Sequence, residues 1–434
     1  MESAKAALPP RRSLGAVAAA ARGWMVAPAR WLGVALGVLV MLDPGFVEAG
    51  ECGGTRECVC GDKVVKDYQL PRDLGPCPEN GLRLEARVRL DGGGFVIRGK
   101  GGKGTVGLRV GERANGSRVS DLALTGFARG LRLVDTRDVH VIRVEAFQNG
   151  DVKRHRGYGI DVSGSSADNV IEQARVHQNA DEGIHLGSGV TGNRIVNSDV
   201  FSNYRENVYF LENRGSRLER SRIRDAGKGS ASVYVKGATD VVLEGNRIDG
   251  GNVTIRGASK GVELIDNSLH DASVVLQAQA NARPSGTVIR GGGIASAKAC
   301  VRVEAADGTR FEDVARECKV DVHVEGSSRV MLRGSGSIKV RCAGAGEIVQ
   351  TRVVDARFVD EEGQPVAATV RDAKGAEIAK AKDDGRFQAD VELLRVQCPG
   401  ERRIPAASLR VSRGEIARVL PPSELRGDVV LKRR

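Results

Sequence analysis

Aromatic residues make up only 4% of the 434-residue chain, and 13 prolines stand against 56 glycines. No stretch beyond the N-terminus sustains a 3.6-residue apolar period, which excludes helical bundles and helical repeats. The glycines keep no period of three, which excludes a collagen-like triple helix. No later apolar run is long enough to cross a membrane as a helix. Positive charge is spread along the chain with few aromatics between, so nucleic acid is not an expected partner. What the glycine excess offers is many tight turns. Apolar residues reach 41%, enough for a large core, and the length suits two or three domains.

The first 49 residues read as a targeting segment. Arg11, Arg12, Arg22 and Arg30 precede the apolar run Trp31 to Leu42. That run is too short for a confident span and suits a signal-peptide core. Val47-Glu48-Ala49 fits a small-x-small cleavage site loosely; an uncleaved signal anchor stays open. Cleavage would remove five basic and three acidic side chains, lowering the formal charge from +11 to +9. A basic exported chain suits acidic glycans or anionic surfaces. Secreted, periplasmic or cell-envelope placement is expected, with membrane contact only through an uncleaved N-terminus.

Eight cysteines in an exported chain read as disulfides. Cys52, Cys58, Cys60 and Cys77 cluster in residues 50–80, the expected N-terminal cap; a zinc knuckle there would need a more regular spacing. Cys300 and Cys318 lie about one repeat apart and are the expected pair. Cys342 and Cys398 flank the last shift in composition.

Between residues 81 and 350 short alternating strands recur between Gly, Asn, Asp and Ser turns. "YGIDVSG", "EGIHLGSG", "ENVYFLEN", "ASVYVKG" and "GNVTIRG" align, with Ile160, Ile184, Val208, Val233 and Val253 as inward positions. A second inward column reads Val176, Val200, Ile223, Ile248 and Leu269. Asn149, Asn179 and Asn203 repeat at a turn and are expected to form a hydrogen-bonded ladder. A period of 20–25 residues with about three strands per unit predicts a parallel β-solenoid. The leucine-rich alternative lacks its leucine–asparagine pattern. The succession resembles the right-handed parallel β-helix proteins of the pectin-lyase-like superfamily over roughly Gly81 to Gly346. That resemblance implies an all-β, right-handed parallel β-helix of about ten turns.

Residues 351–434 read differently, as hairpin alternation with Gly-containing turns. Asp360, Gly363, Pro365, Val366, Asp383 and Phe387 resemble the carboxypeptidase-regulatory-like pattern, implying a small antiparallel β-sandwich of structural or adhesive use.

Alternation places Asp161, His185, Tyr209, Tyr234 and Thr254 outward beside one another, with Gly159 and Gly183 expected outward too. Adjacent turns would then let Asp161 fix the tautomer of His185. Lys153, Arg154, His155, Arg156, Tyr158, Asp181, Glu182, Tyr204, Arg205 and Glu206 border the same face. Uronate chemistry needs this inventory: a cation to hold the sugar carboxylate, and a base and an acid to move protons. "YGID" also resembles the opening of the alginate C5-epimerase motif through Tyr158, Gly159, Ile160 and Asp161. Val162 stands where that motif has proline, and Ser163 where it has histidine. His185 and Tyr158 are the candidates for base or acid, with Asp161 orienting His185; the resemblance covers Tyr158 and Asp161 of these three catalytic candidates. Lys153, Arg156, Arg205, Tyr209 and Tyr234 are the substrate-binding candidates. The polygalacturonase alternative would need a paired aspartate and a Gly-His-Gly turn, and the repeat holds neither. No cofactor is expected; calcium on Asp161, Asp181 and Glu182 lacks a calcium-loop spacing. The expected partner is an acidic polysaccharide or cell-envelope glycan. The expected function is uronan lyase or C5-epimerase action, with a non-enzymatic glycan-binding or scaffolding role as the alternative.

Overall fold

Short strands with apolar residues at alternate positions cannot bury one face alone, so each turn stacks on the next. The computed structural model describes residues 50–431 apart from 155, 335, 414 and 415. The targeting segment expected over residues 1–49 and His155 lie outside the described residues. None of the described helices is long and apolar enough to cross a membrane.

The chain coils with three strands per turn, and each strand pairs in parallel with its counterpart one turn on. One face carries Arg129–Val134, Tyr158–Ser163, Ile184–Leu186, Val208–Leu211 and Ala231–Lys236. The preceding face carries Ala123–Thr125, Glu145–Phe147, Arg175–His177, Asp199–Phe201 and Arg222–Arg224. The third carries Arg118–Ser120, His140–Ile142, Val170–Glu172, Arg194–Val196 and Arg217–Glu219. Both inward columns expected from the sequence are fully buried in a single core. The solenoid makes about twelve turns rather than ten. The extra turns lie at the ends, where strands shrink to two or three residues (Lys63–Val64, Leu82–Leu84) or lengthen past the repeat unit (Gly293–Val303).

The corners are made by residues in the left-handed backbone region. Asp138, Asp168 and Asp240 serve one corner, Gln148, Gln178 and Ser202 a second, and Asp121, Gln173, Asn197 and Asp266 a third. Short polar side chains tolerate this region best. Beneath the second corner runs the asparagine ladder. Asn179 Oδ1 accepts from Asn149 Nδ2 at 3.1 Å, and Asn203 Oδ1 accepts from Asn179 Nδ2 at 2.9 Å. The ladder continues to Asn207. Each of these three amides also donates to a backbone carbonyl of the preceding turn, so none is left bare in the core.

Disulfides staple both ends. Cys52 pairs with Cys58 and Cys60 with Cys77, so the four N-terminal cysteines form two bonds rather than a zinc site. Cys300 pairs with Cys318 as expected, and Cys342 with Cys398. The final strand of the third face, Gly346–Val359, pairs in parallel with Ser328–Arg333 and antiparallel with Arg386–Cys398. Its far end enters a second core, where Phe358, Phe387 and Val391 pack with Val370, Val411 and Leu420. A separate antiparallel sheet of Thr369–Arg371, Glu377–Lys380, Leu409–Arg413 and Ile416–Leu420 covers that core.

Candidate functional site

The asparagine ladder dictates the local sequence above it. A Cβ on Gly130 or Gly159 would lie 2.7 Å from the Nδ2 of Asn149 or Asn179 respectively. Gly183 faces Asn203 in the same way. These glycines therefore point inward, not outward as simple alternation suggests: the strand twists where it leaves the corner. The residue before each glycine turns away from the core instead. Two outward columns result. One holds Arg129, Tyr158, Glu182 and Glu206; the other holds Arg132, Asp161, His185 and Tyr209, with Tyr234 following.

Asp161 is 3% exposed and sits at the centre. Its Oδ1 lies 3.1 Å from His185 Nδ1. Its Oδ2 lies 3.0 Å from Arg129 Nε and 3.3 Å from Arg132 Nε, as ion pairs without hydrogen-bond alignment. A carboxylate can only accept, so His185 Nδ1 carries a hydrogen, and Nε2 is the nitrogen left to exchange a proton. The imidazole stacks on Tyr158 at 4.9 Å with planes 13° apart, and meets Tyr209 at 5.7 Å and 56°. Tyr209 and Tyr234 are tilted at 46° rather than stacked flat, and Tyr234 Oη accepts from Arg256 Nη1.

Beside this network Asp181, Glu182 and Glu206 converge on one guanidinium, that of Arg205, at 3.1, 3.3 and 3.5 Å. All three carboxylates are buried. Burial, then the neighbouring Asp181 charge, pushes the Glu182 carboxyl up to about 7; His185 and Arg205 oppose the shift. Burial likewise raises Asp181 and Glu206. Tyr158 is pushed up to about 12, first by burial and then by Glu182 and Asp181. It therefore stays a neutral phenol at physiological pH. Asp161, Asp181 and Glu182 already serve these guanidinium partners, and no group of three acids, histidines or cysteines among the described residues is arranged to hold a metal ion.

The raised Glu182 value makes stability pH-dependent. Below pH 4.5 the carboxyl is protonated folded and unfolded alike. Between pH 4.5 and 7 the unfolded chain ionises first, so the folded state loses ground; above 7 the loss is complete. Glu182→Gln is expected to raise stability at pH 8 by roughly 2 kcal/mol and to change it little at pH 4. Urea unfolding at the two pH values measures the difference; equal effects at both would refute the assignment.

Tyr158 and Arg205 open onto a cleft of about 730 Å³ over the same corner, together with Lys103, Arg129, Arg154, Arg156, Asp151 and Asp181. The loops 101–104 and 150–157 border it. Of the residues expected at the site, Tyr158, Arg156 and Arg205 line the cleft. Asp161 and His185 are joined to Tyr158 through the stack but do not line it. Lys153 sits on an exposed 3-10 turn outside the lining. Arg129, Arg132 and Lys103 escaped the sequence reading. "RGLR", Arg129 to Arg132, repeats the glycine–apolar pattern of "YGID" one turn earlier and was the available signal.

Residues 129–295 match the family model described as a right handed beta helix region. No curated protein matches the chain. Among solved structures, the chain is similar to a point mutant of the periplasmic alginate epimerase AlgG, at 12% identity and a TM-score of 0.44, covering 59% of this chain and 77% of that one. It is similar to the A-module of the Azotobacter vinelandii mannuronan C-5 epimerase AlgE6, at 16% identity and a TM-score of 0.37, covering 68% and 81%. A third likeness is to the Dettilon tailspike protein gp208, at 11% identity and a TM-score of 0.49, covering 82% and 73%.

Proposed function

We propose that this chain is an exported protein acting on an acidic polysaccharide, by removing the proton α to a uronate carboxylate. The observation that carries this reading is a cation-lined cleft whose wall holds Tyr158 stacked on a histidine that Asp161 orients. Cations in the cleft hold the sugar carboxylate and stabilise charge as it develops on proton loss. The sugar to be attacked extends from the cleft over the Tyr158–His185 stack, outside the lining, where His185 Nε2 takes the C5 proton while Nδ1 stays pinned to Asp161. The Tyr158 hydroxyl, held protonated by its buried acidic surroundings, is the donor. Delivered to the departing O4, its proton completes β-elimination and leaves a C4–C5 double bond. Epimerisation instead needs a proton returned to the opposite face of C5, from across the sugar rather than from Tyr158, which stacks on the base at 4.9 Å. Four disulfides support an oxidising compartment, and hence export.

A second reading, a glycan-binding or scaffolding protein of the cell envelope, is favoured by one observation. Asp161 and His185 lie behind Tyr158, where the same network would brace the corner without chemistry. Incubation with alginate, pectate and related polyanions separates the readings. Unsaturated ends seen by absorbance, or inverted C5 centres seen by NMR, support catalysis. Binding without either product, unaltered in His185→Ala, would sink it and leave the scaffold.

A further inference from the structure

The cleft's cations differ in how much of their charge is already taken. Arg129 lies against Asp161, Arg154 lies 3.4 Å from Asp151, and Arg205 is shared by three buried carboxylates. An incoming anion would have to displace these partners. Lys103 and Arg156 have no ion-pair or hydrogen-bond partner for their charged ends among the described residues. They are the cations free to be neutralised by a ligand.

Their placement is distinctive. The short corner at residues 126–128 lies between them, with Lys103 on the loop one turn before and Arg156 on the loop one turn after. Two turns span roughly 10 Å along the coil, about twice the strand spacing. The Arg156 loop is closed by a pair of backbone bonds between Asp151 and Arg156, and Gly157 packs on Gly150. The Lys103 loop is different. Gly101, Gly102 and Gly104 all take positive φ, at 84°, 127° and 81°. A Cβ on Gly101 or Gly104 would meet nothing within 4 Å, so the glycines serve the backbone path and not close packing. Gly101 N–H to Gly126 O is one of few ties holding this loop. A cation on a loop closed by two backbone bonds thus faces one on a glycine-rich loop.

We propose that Lys103 and Arg156 form a two-point carboxylate reader, which selects a chain carrying uronates on at least two sugar residues over neutral or singly charged glycans. Arg156 supplies one contact, and Lys103, on the glycine-rich loop two turns away, supplies the other. The inference rests on the proposed reading that the cleft takes an acidic polysaccharide. A neutral sugar leaves both cations hydrated and gains nothing from them. A single uronate satisfies only one. A chain with spaced carboxylates satisfies both without disturbing the ion pairs that hold Arg129, Arg154 and Arg205.

Titration calorimetry on the full chain tests this, with tetramannuronate, tetragalacturonate, a single uronic acid and an uncharged tetrasaccharide as probes. Lys103→Gln and Arg156→Gln are each expected to weaken tetrauronate binding about tenfold, the scale of one partly exposed charge contact. Their effects on the single uronic acid should not add, since it meets one cation at a time. Lys260→Gln, an exposed lysine elsewhere on the coil, is the control for bulk charge. Circular dichroism confirms folding of each variant. Tight tetrauronate binding that neither substitution weakens overturns the two-point reader and leaves the polysaccharide reading standing. Wild-type protein that binds no tetrauronate overturns both.

Discussion

Tyr158→Phe is expected to cut turnover of a polyuronate by about a thousandfold, while binding falls by less than tenfold. The substitution removes one oxygen and keeps the ring that stacks on His185 at 4.9 Å and lies beneath the Arg129 guanidinium at 5.5 Å. The corner therefore stays intact, and the loss isolates the proton that the hydroxyl supplies. A phenol held up to about 12 is matched to a sugar alkoxide leaving group, which needs a proton as the C–O bond breaks. Single-turnover rates on the substrate found in the polyanion panel measure the effect. A variant that turns over at more than a tenth of the wild-type rate would remove Tyr158 from the chemistry.

The second large effect is structural. Asp161→Asn keeps shape and one acceptor but deletes the charge that faces Arg129, Arg132 and His185. Removing one partner of a buried charge group typically costs about 3–5 kcal/mol. The two arginines are each 29% exposed and recover some hydration, so the expected loss is roughly 2–3 kcal/mol. The amide would also present either an oxygen or an NH2 group to His185, freeing the ring to change tautomer. Turnover should then fall together with stability, and the variant's pH–rate profile should shift. Unchanged urea unfolding would show that the arginines do not depend on Asp161. Unchanged turnover in a destabilised variant would assign the network to bracing alone.

Much of the coil was legible because inward residues obey two simple rules at once. Ile160, Ile184 and Val208 alternate with polar neighbours and recur at steps of 24 residues, so their burial and register both follow. Asn149, Asn179 and Asn203 were legible instead from the repeated turn residue itself, at steps of 30 and 24 residues. Arg129 was not. It stands 29 residues before Tyr158, because the loop at 150–157 lengthens that turn and breaks the spacing. Gly159 and Gly183 were misplaced because alternation assumes a flat strand, and here the backbone is still turning over an asparagine amide. The clamp on Arg205 joins Asp181 and Glu182 of one turn to the residues beside Arg205 in the next. Composition shows such charges; only stacking decides which of them share a partner. That is also why Lys153 and Arg156, three residues apart, have different surroundings: one rides a turn facing solvent and the other lines the cleft.

The strand Arg386–Cys398 runs against the direction of every strand in the solenoid ladder it joins. A parallel coil lengthens by laying each new strand in the same sense as the last, and any exposed final edge offers a template for another such strand. Here that edge is covered by a strand of the opposite sense. Beyond it, among the described residues, lies the four-residue strand Arg402–Pro405, again antiparallel. On this face the coil therefore ends in a short antiparallel pair, and the edge left beyond it is only four residues long.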